Sequence, residues 1–266
     1  MSDRPFISVV IPCYNDGRYL PETLQRLKEQ TYRSFETIVV NDGSTDPHTL
    51  EVLNRVRAEG ITVLDKPNGH LSSARNEGIR HATGSLIVTL DADDYYAPSF
   101  FQKGIDTLRK QPETGVVSSH IRFFGTRKGT SKPRGGSLNN FLFSNECPAC
   151  AMFRKECWEQ AGPYDEGMKH GYEDWEFYIR VTSRGWKVHV IKEPLFYYRQ
   201  SEKSMHANDT MANRPEIIDY IVEKHADLYL GQLKQLILDH DVLYRKSRIS
   251  WQNIFWMLSD RMTGKY

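Results

Sequence analysis

The sequence predicts an α/β protein built on a doubly wound, mainly parallel sheet, with a helical extension at its C-terminal end. Three observations carry this expectation. Short apolar runs recur through the first part of the chain, each run stops at a turn signal, and the intervening segments space their apolar residues helically. Strands buried on both faces read as continuous apolar runs, and alternation with helices is how parallel neighbours are connected.

Ile7 to Ile11 forms the first run, stopped by Pro12, and Phe35 to Val40 the second, stopped by Asn41-Asp42-Gly43. Between them Leu20, Leu24 and Leu27 recur at helical spacing, with Pro21 tolerated near a helix start. Leu50, Leu53 and Val56 mark a second helix, Ile61 to Leu64 a third strand, Ser72 to His81 a third helix and Ser85 to Leu90 a fourth strand. Ligands on such sheets sit beyond the carboxyl ends of the strands, which places Pro12 to Asn15, Asn41 to Asp46 and Asp91 to Asp94 on one rim. Residues 125 to 137 form a basic, Gly-rich stretch that reads either as a solvated connection or as a lid. Beyond it Ala151 to Arg154 reads as strand, Tyr172 to Arg184 as a helix closed by Gly185, and Trp186 to Ile191 as strand. From Pro215 to Tyr244, apolar residues such as Ile217, Ile221, Leu233 and Leu236 suggest one or two amphipathic helices.

Composition narrows the function classes. Lys plus Arg number 35 and Asp plus Glu 34, a net charge of +1, so no global field draws nucleic acid and any anion must be held locally. No apolar stretch approaches the roughly 18–20 residues of a bilayer span, and Met1-Ser-Asp-Arg-Pro5 lacks the pattern of a secretory leader. A cytoplasmic location is the expectation. Cys13, Cys147, Cys150 and Cys157 read as reduced structural thiols, since Cys147-Pro-Ala-Cys150 lacks the second half of a zinc site.

The chemistry centres on Asp91, Asp93 and Asp94, directly after the fourth strand. Carboxylates this close repel one another unless a cation or hydrogen-bond donors compensate them, and Mg²⁺ often combines one or two carboxylates with substrate phosphates. A solvated turn that caps the helix after Pro98 is the alternative. Asp42 lies on the same rim, where a carboxylate can accept hydrogen bonds from a base or ribose, while Ser44, Thr45 and Asp46 suit a helix N-cap. Asn68 to Gly78 opens a helix, and Asn68 with Arg75 makes a plausible diphosphate contact.

Taken with these, five motifs in one order, Pro12-Cys-Tyr14-Asn15, Asn41-Asp-Gly-Ser-Thr-Asp46, Ala74-Arg-Asn-Glu-Gly78, Asp91-Ala-Asp-Asp94 and Gly171-Tyr-Glu-Asp-Trp-Glu176, resemble the inverting family 2 glycosyltransferases. That family has the GT-A fold, a Rossmann-like arrangement, and the resemblance covers about residues 6 to 205. It implies a nucleotide-sugar donor, most often a UDP-sugar, with Pro12, Tyr14 and Asp42 holding the base and Asn15 and Ala92 counted with the donor contacts. Asp91 would lie near the ribose and the metal, Asp93 would coordinate Mn²⁺ or Mg²⁺, and Asp174 would be the catalytic base. Glu173 and Trp175 would serve the acceptor side. Such families often carry a His after a Tyr-Arg pair. Here Tyr198-Arg199 is followed by Gln200, and His206, slightly downstream, stands as the candidate third ligand.

The expected organisation is a GT-A domain over residues 1–205, its donor half about 1–97 and its acceptor half about 98–205, with a helical extension over 206–266. The expected activity is inverting, metal-dependent transfer of a sugar to a hydroxyl of a saccharide or lipid-linked acceptor, in cell-surface polysaccharide or glycoconjugate synthesis. A nucleotidyltransferase that makes the sugar nucleotide is the competing enzyme class, but the stretch after the first strand, Pro12 to Gly17, has one Gly and no Lys for a phosphate loop. A non-catalytic sugar-nucleotide-binding protein is the third. Arg245 to Leu258 mixes basic residues with Trp251, Phe255 and Trp256, which suggests packing on the domain or a homodimer partner, or a peripheral position at the inner face of the membrane.

Overall fold

Apolar runs flanked by turn residues become the centre of one sheet. A computed structural model of the chain describes residues 6–201 and 210–247, and the chain divides into two compact units, Met1–Asp219 and Tyr220–Tyr266. The first unit begins with β1 (Ile7–Cys13), α1 (Leu20–Leu27), β2 (Phe35–Asp42), α2 (Pro47–Ala58), β3 (Thr62–Lys66), α3 (His70–His81) and β4 (Leu86–Thr89). These are the expected strands and helices, with β1 and β2 running on past their apolar runs. The helix starts follow local chemistry, since Asp46 caps α2 by accepting the backbone N–H of Thr49 at 2.8 Å.

Next come β5 (Tyr95–Tyr96), α4 (Phe100–Lys110), β6 (Thr114–Gly125), β7 (Gly129–Ser131), α5 (Leu138–Phe141), β8 (Met152–Arg154), α6 (Lys155–Ala161), α7 (Glu173–Ser183) and β9 (Lys187–Gln200). The chain continues into α8 (Arg214–Lys224) and α9 (Ala226–Ser247). Among the described residues the nine strands form one sheet in the order β3-β2-β1-β4-β8-β6-β9-β5, with β7 paired to β6. The β3-β2-β1-β4 half is parallel. Beyond it β8 runs antiparallel to both β4 and β6, and β6 pairs parallel with β9. The sheet is therefore mixed, with parallel pairs through its first half and again between β6 and β9. The Gly-rich stretch is no plain loop, because β7 folds back on β6 as a hairpin.

This topology fixes the position of the site. Successive strands leave β1 in one direction toward β2 and β3 and in the other toward β4, so the crevice opens where β1 and β4 end. The ends of β1, β2 and β4 carry the three motifs of the rim. One of the motif glycines is there for packing. A Cβ at Gly78 of α3 would fall 2.3 Å from Cγ1 of Val10, which is fully buried in β1, so only glycine lets α3 lie this close to the sheet. No helix among the described residues is long and apolar enough to cross a membrane. His206 and Trp251 to Leu258 lie outside the described residues.

Gly78→Val should lower the free energy of unfolding by about 2–3 kcal/mol through overpacking, read by urea denaturation. An unchanged midpoint would show that α3 can move away from β1 freely.

Candidate active site

The acidic turn after β4 is held from three sides. The Thr23 hydroxyl of α1 donates to the carbonyls of Ala92 (2.8 Å) and Asp94 (2.9 Å). From β9, the backbone N–H of Arg199 donates to Asp94 Oδ1 at 2.7 Å, and its guanidinium donates to the Asp93 carbonyl at 3.0 Å. The same guanidinium lies over the rings of Tyr19 and Phe124. Asp94 is fully buried, its Oδ2 finds no partner among the described residues, and burial raises its carboxyl well above the ordinary range. The turn does not cap the helix that follows, for α4 starts at Phe100 behind an N-cap, Ser99, that makes no side-chain hydrogen bond.

Asp93 is only partly buried. Burial and the neighbouring Asp91 and Asp16 carboxylates push it up to about 7, and Asp16 is itself raised, by burial first. Three carboxylates thus share a rim with too little positive charge, and a hard cation with oxygen ligands fits that donor set. A second grouping, Asp91, Asp94 and the Cys150 thiol, has its ligand atoms within 4.8 Å of one another. It suits such a cation less well. Asp94 and Cys150 are buried, and burial keeps the thiol protonated.

Arg75 joins this rim to the other half of the unit. It is fully buried in α3; one terminal nitrogen donates to Asp91 at 2.9 Å, and the other pairs with Glu173 at the start of α7. Its neighbour Asn76 is equally occupied. The Asn76 amide donates to the Tyr164 carbonyl (2.8 Å) and to Glu166 (2.9 Å), and its Oδ1 accepts the Tyr164 N–H at 2.8 Å. The Arg-Asn pair therefore anchors the segment that leads into α7.

Asp174 follows Glu173 in the first turn of α7. Burial and the Glu173 charge push its carboxyl up to about 7, and Asn145 donates to its Oδ2 at 2.8 Å. Glu176 is bound to Arg180 within the same helix at 2.8 Å. Trp175 is 5% exposed, with its indole N–H donating to the Phe141 carbonyl at 2.5 Å. Its ring meets that of Tyr172 edge-on.

On the rim of β1 and β2, Tyr14 is 48% exposed beside buried Pro12. The Asn15 carboxamide is spent locally, accepting the N–H groups of Thr45 (2.8 Å) and Asp46 (2.9 Å) and so tying the two loops together. Asp42 is buried, and its Oδ1 accepts Lys66 Nζ (2.6 Å) and the Gly69 N–H (3.0 Å). The Asn68 amide donates to the Asp42 carbonyl at 3.0 Å. Gly43 has φ 72°, and a Cβ there would fall 2.6 Å from the Asn68 nitrogen. The four cysteines are unpaired and buried, and burial pushes the thiols of Cys13, Cys147 and Cys157 up to about 12.

A switch-point crevice with a carboxylate rim, a polar cradle beyond β2 and a buried acid on a later helix is the site of a GT-A glycosyltransferase. Residues 8–162 match the family model for glycosyl transferase family 2, more than half of the chain, and the chain belongs to that family. A Bacillus subtilis (strain 168) protein described as the uncharacterized glycosyltransferase YwdF is 29% identical over 238 residues, 85% of each chain. S. aureus TarS 1–349 in complex with UDP superposes with a TM-score of 0.63 at 19% identity, over 83% of this chain and 71% of that one; against the longer TarS chain, the coverage is 37% of that chain. The mannosyltransferase PcManGT from Pyrobaculum calidifontis, in complex with GDP-Man and Mn²⁺, gives a TM-score of 0.61 at 19% identity over 100% and 82% of the two chains.

Sequence reasoning missed Asn145, Thr23, Arg199 and Glu146. Arg199 alone had a signal, its place after Tyr198. Glu146 holds the basic stretch to the site, since the Arg134 guanidinium (2.5 Å) and backbone N–H (3.0 Å) both donate to it.

Arg75→Met should leave Asp91 and Glu173 without their counter-charge and cost about 3–5 kcal/mol of stability, measured by chemical denaturation. The bonds from Arg134 hold the Glu146 carboxyl down at about 2 from 4.5. Its stabilisation is complete above the higher value and lost as pH falls toward the lower. Glu146→Gln should therefore flatten the fall in melting temperature between about pH 5 and about pH 2.5, while wild type keeps the steeper slope.

Proposed function

We propose that the chain transfers a sugar, with inversion, from a UDP-sugar to a hydroxyl of a saccharide or lipid-linked acceptor, with Mn²⁺ or Mg²⁺ bound. Cell-surface polysaccharide or glycoconjugate synthesis is the process such a reaction serves, and a lipid-linked acceptor would bring the enzyme to the inner face of the membrane. The observation that carries the reading is the Arg75 clamp, which ties Asp91 of the carboxylate rim to Glu173, the residue next to Asp174. One buried side chain thereby joins a phosphate-side acid to the residue beside the proton-accepting acid.

Tyr14 and Pro12 would flank the base. Both contacts to Asp42 fall on Oδ1, so Oδ2 is the atom that would accept the imide N–H of a uracil. Asp93 and Asp91 would hold the cation. When bound, that cation supplies charge neutralisation at the departing diphosphate. Arg75 keeps the Asp91 carboxylate aimed, and Asn68 would reach the donor from the turn before α3. Given where the Arg75 guanidinium is buried, its part is to position the two acids rather than to touch the diphosphate.

Asp174 would take the proton of the acceptor hydroxyl as its oxygen bonds to the anomeric carbon and the bond to the diphosphate breaks. A buried carboxyl raised to about 7 is matched to that task at neutral pH. Trp175 and Tyr172 would wall the acceptor side.

Asp174→Asn should leave UDP affinity within about twofold while turnover falls by about 10² to 10⁴; unchanged turnover removes Asp174 from this role. Asp93→Ala should weaken Mn²⁺-dependent UDP binding, read by calorimetry, by about tenfold or more. Equal affinity with Mn²⁺ and with chelator in the wild type overturns the metal assignment.

A further inference from the structure

The loop between α5 and β8 carries a residue to which neither motif nor periodicity gives a role. Asn145 is part-buried, and its amide nitrogen donates to Asp174 Oδ2 at 2.8 Å. The orientation of that amide is set by chemistry, because a carboxylate only accepts. The Asn145 oxygen, turned the other way, accepts the backbone N–H of Cys147.

The mount is rigid on both sides of Asn145. Glu146 is buried and accepts the Arg134 guanidinium, the Arg134 N–H at 3.0 Å and the Ser144 hydroxyl at 2.6 Å. Its carbonyl accepts the Gly135 N–H at 3.0 Å. The peptide that presents the amide is thus bolted to the basic stretch that follows β7.

Among the described residues, several groups act on Asp174. Glu173 lies beside it on α7, and the Trp175 backbone N–H bonds it; Arg75 acts from α3; the Cys147 thiol and the Tyr164 and Tyr178 phenols stay neutral because burial raises each of them. The Arg75 charge is shared between Asp91 and Glu173. Among the described residues, Asn145 hydrogen-bonds the Asp174 carboxylate from outside its own helix.

We propose that Asn145 is a positioning residue for the proton-accepting carboxylate: its amide holds Oδ2 and leaves Oδ1 to face the acceptor hydroxyl. The inference rests on the reading of Asp174 as base. In the transfer, the hydroxyl proton passes to Oδ1, the acceptor oxygen bonds to the anomeric carbon, and the diphosphate leaves with the electron pair of the broken bond. Oδ2 keeps its hydrogen bond throughout, so the carboxyl does not rotate between its two oxygens.

A donor to the ionised form also opposes the upward push of burial and Glu173. Its removal should make Asp174 harder to ionise, and the acid limb of the rate profile should move to higher pH. The test uses the full 266-residue protein with aspartate labelled at the carboxyl carbon by ¹³C, the Asp174 resonance being assigned by its absence in Asp174→Asn. Titration between about pH 5 and pH 9 should show the Asp174 midpoint rising by about half a unit in Asn145→Ala and by about one or more in Asn145→Asp, which keeps the shape but adds a like charge. A midpoint that is the same in wild type and both variants overturns the role of Asn145, whatever the turnover. A midpoint that moves as expected, with normal turnover in Asp174→Asn, supports the contact and overturns the base reading instead.

Discussion

The structure depends on one buried cation. Arg75 sits fully inside the first unit, where an unpaired guanidinium would cost several kcal/mol, and it is tolerable there because Asp91 and Glu173 meet it on two sides. The three residues come from three elements. Arg75 stands on α3, which packs on β1 and β2; Asp91 follows β4; Glu173 opens α7. Any change in the distance between the donor rim and the start of α7 breaks a charged hydrogen bond in a low-dielectric interior, so the two halves of the site hold a fixed spacing.

A layer of polar contacts fixes what Arg75 alone does not. Asn15 ties the loop after β1 to the loop after β2, Thr23 and Arg199 grip the acidic turn from α1 and β9, and Asn76 fastens the segment before α7. Each of these side chains bonds backbone groups of a different loop. Loops at the strand ends would otherwise be the most mobile part of such a fold. Here they are cross-linked by polar side chains, of which Asn15, Thr23 and Asn76 are short and cost little rotamer freedom to order.

The first half of the fold was legible because parallel strands buried on both faces leave an unmistakable apolar record, as in Ile7 to Ile11 and Ser85 to Leu90. The second half was not. β6 contains Ser118, Ser119 and His120, polar residues that interrupt any run, yet it pairs with both β8 and β9. β5 is two residues long and exists only because β9 lies alongside it. The same limit applies to the site. Asp91 to Asp94 and the Glu-Asp pair announce themselves by clustering, whereas the partner of Arg75 lies 98 residues away along the chain and that of Asn145 lies 29. A residue that acts through a distant partner leaves no local pattern, which is why Arg75 reads as a phosphate contact in the sequence and stands as an interior clamp in the fold.

Two carboxyls in the site, Asp93 and Asp174, are both pushed up to about 7, and burial leads in both. The second cause separates them. For Asp93 it is the charge of Asp91 and Asp16 on a partly open rim, a repulsion that a cation among the same oxygens would reverse. For Asp174 it is Glu173, whose carboxylate is paired with Arg75. A cation at the rim would favour the ionised form of Asp93, while the shift of Asp174 rests on burial and on its neighbour in α7. On the proposed reading, the first shift belongs to a site for positive charge and the second to the group that accepts the proton. Arg75 is paired with the neighbourhood of each, with Asp91 on one side and Glu173 on the other.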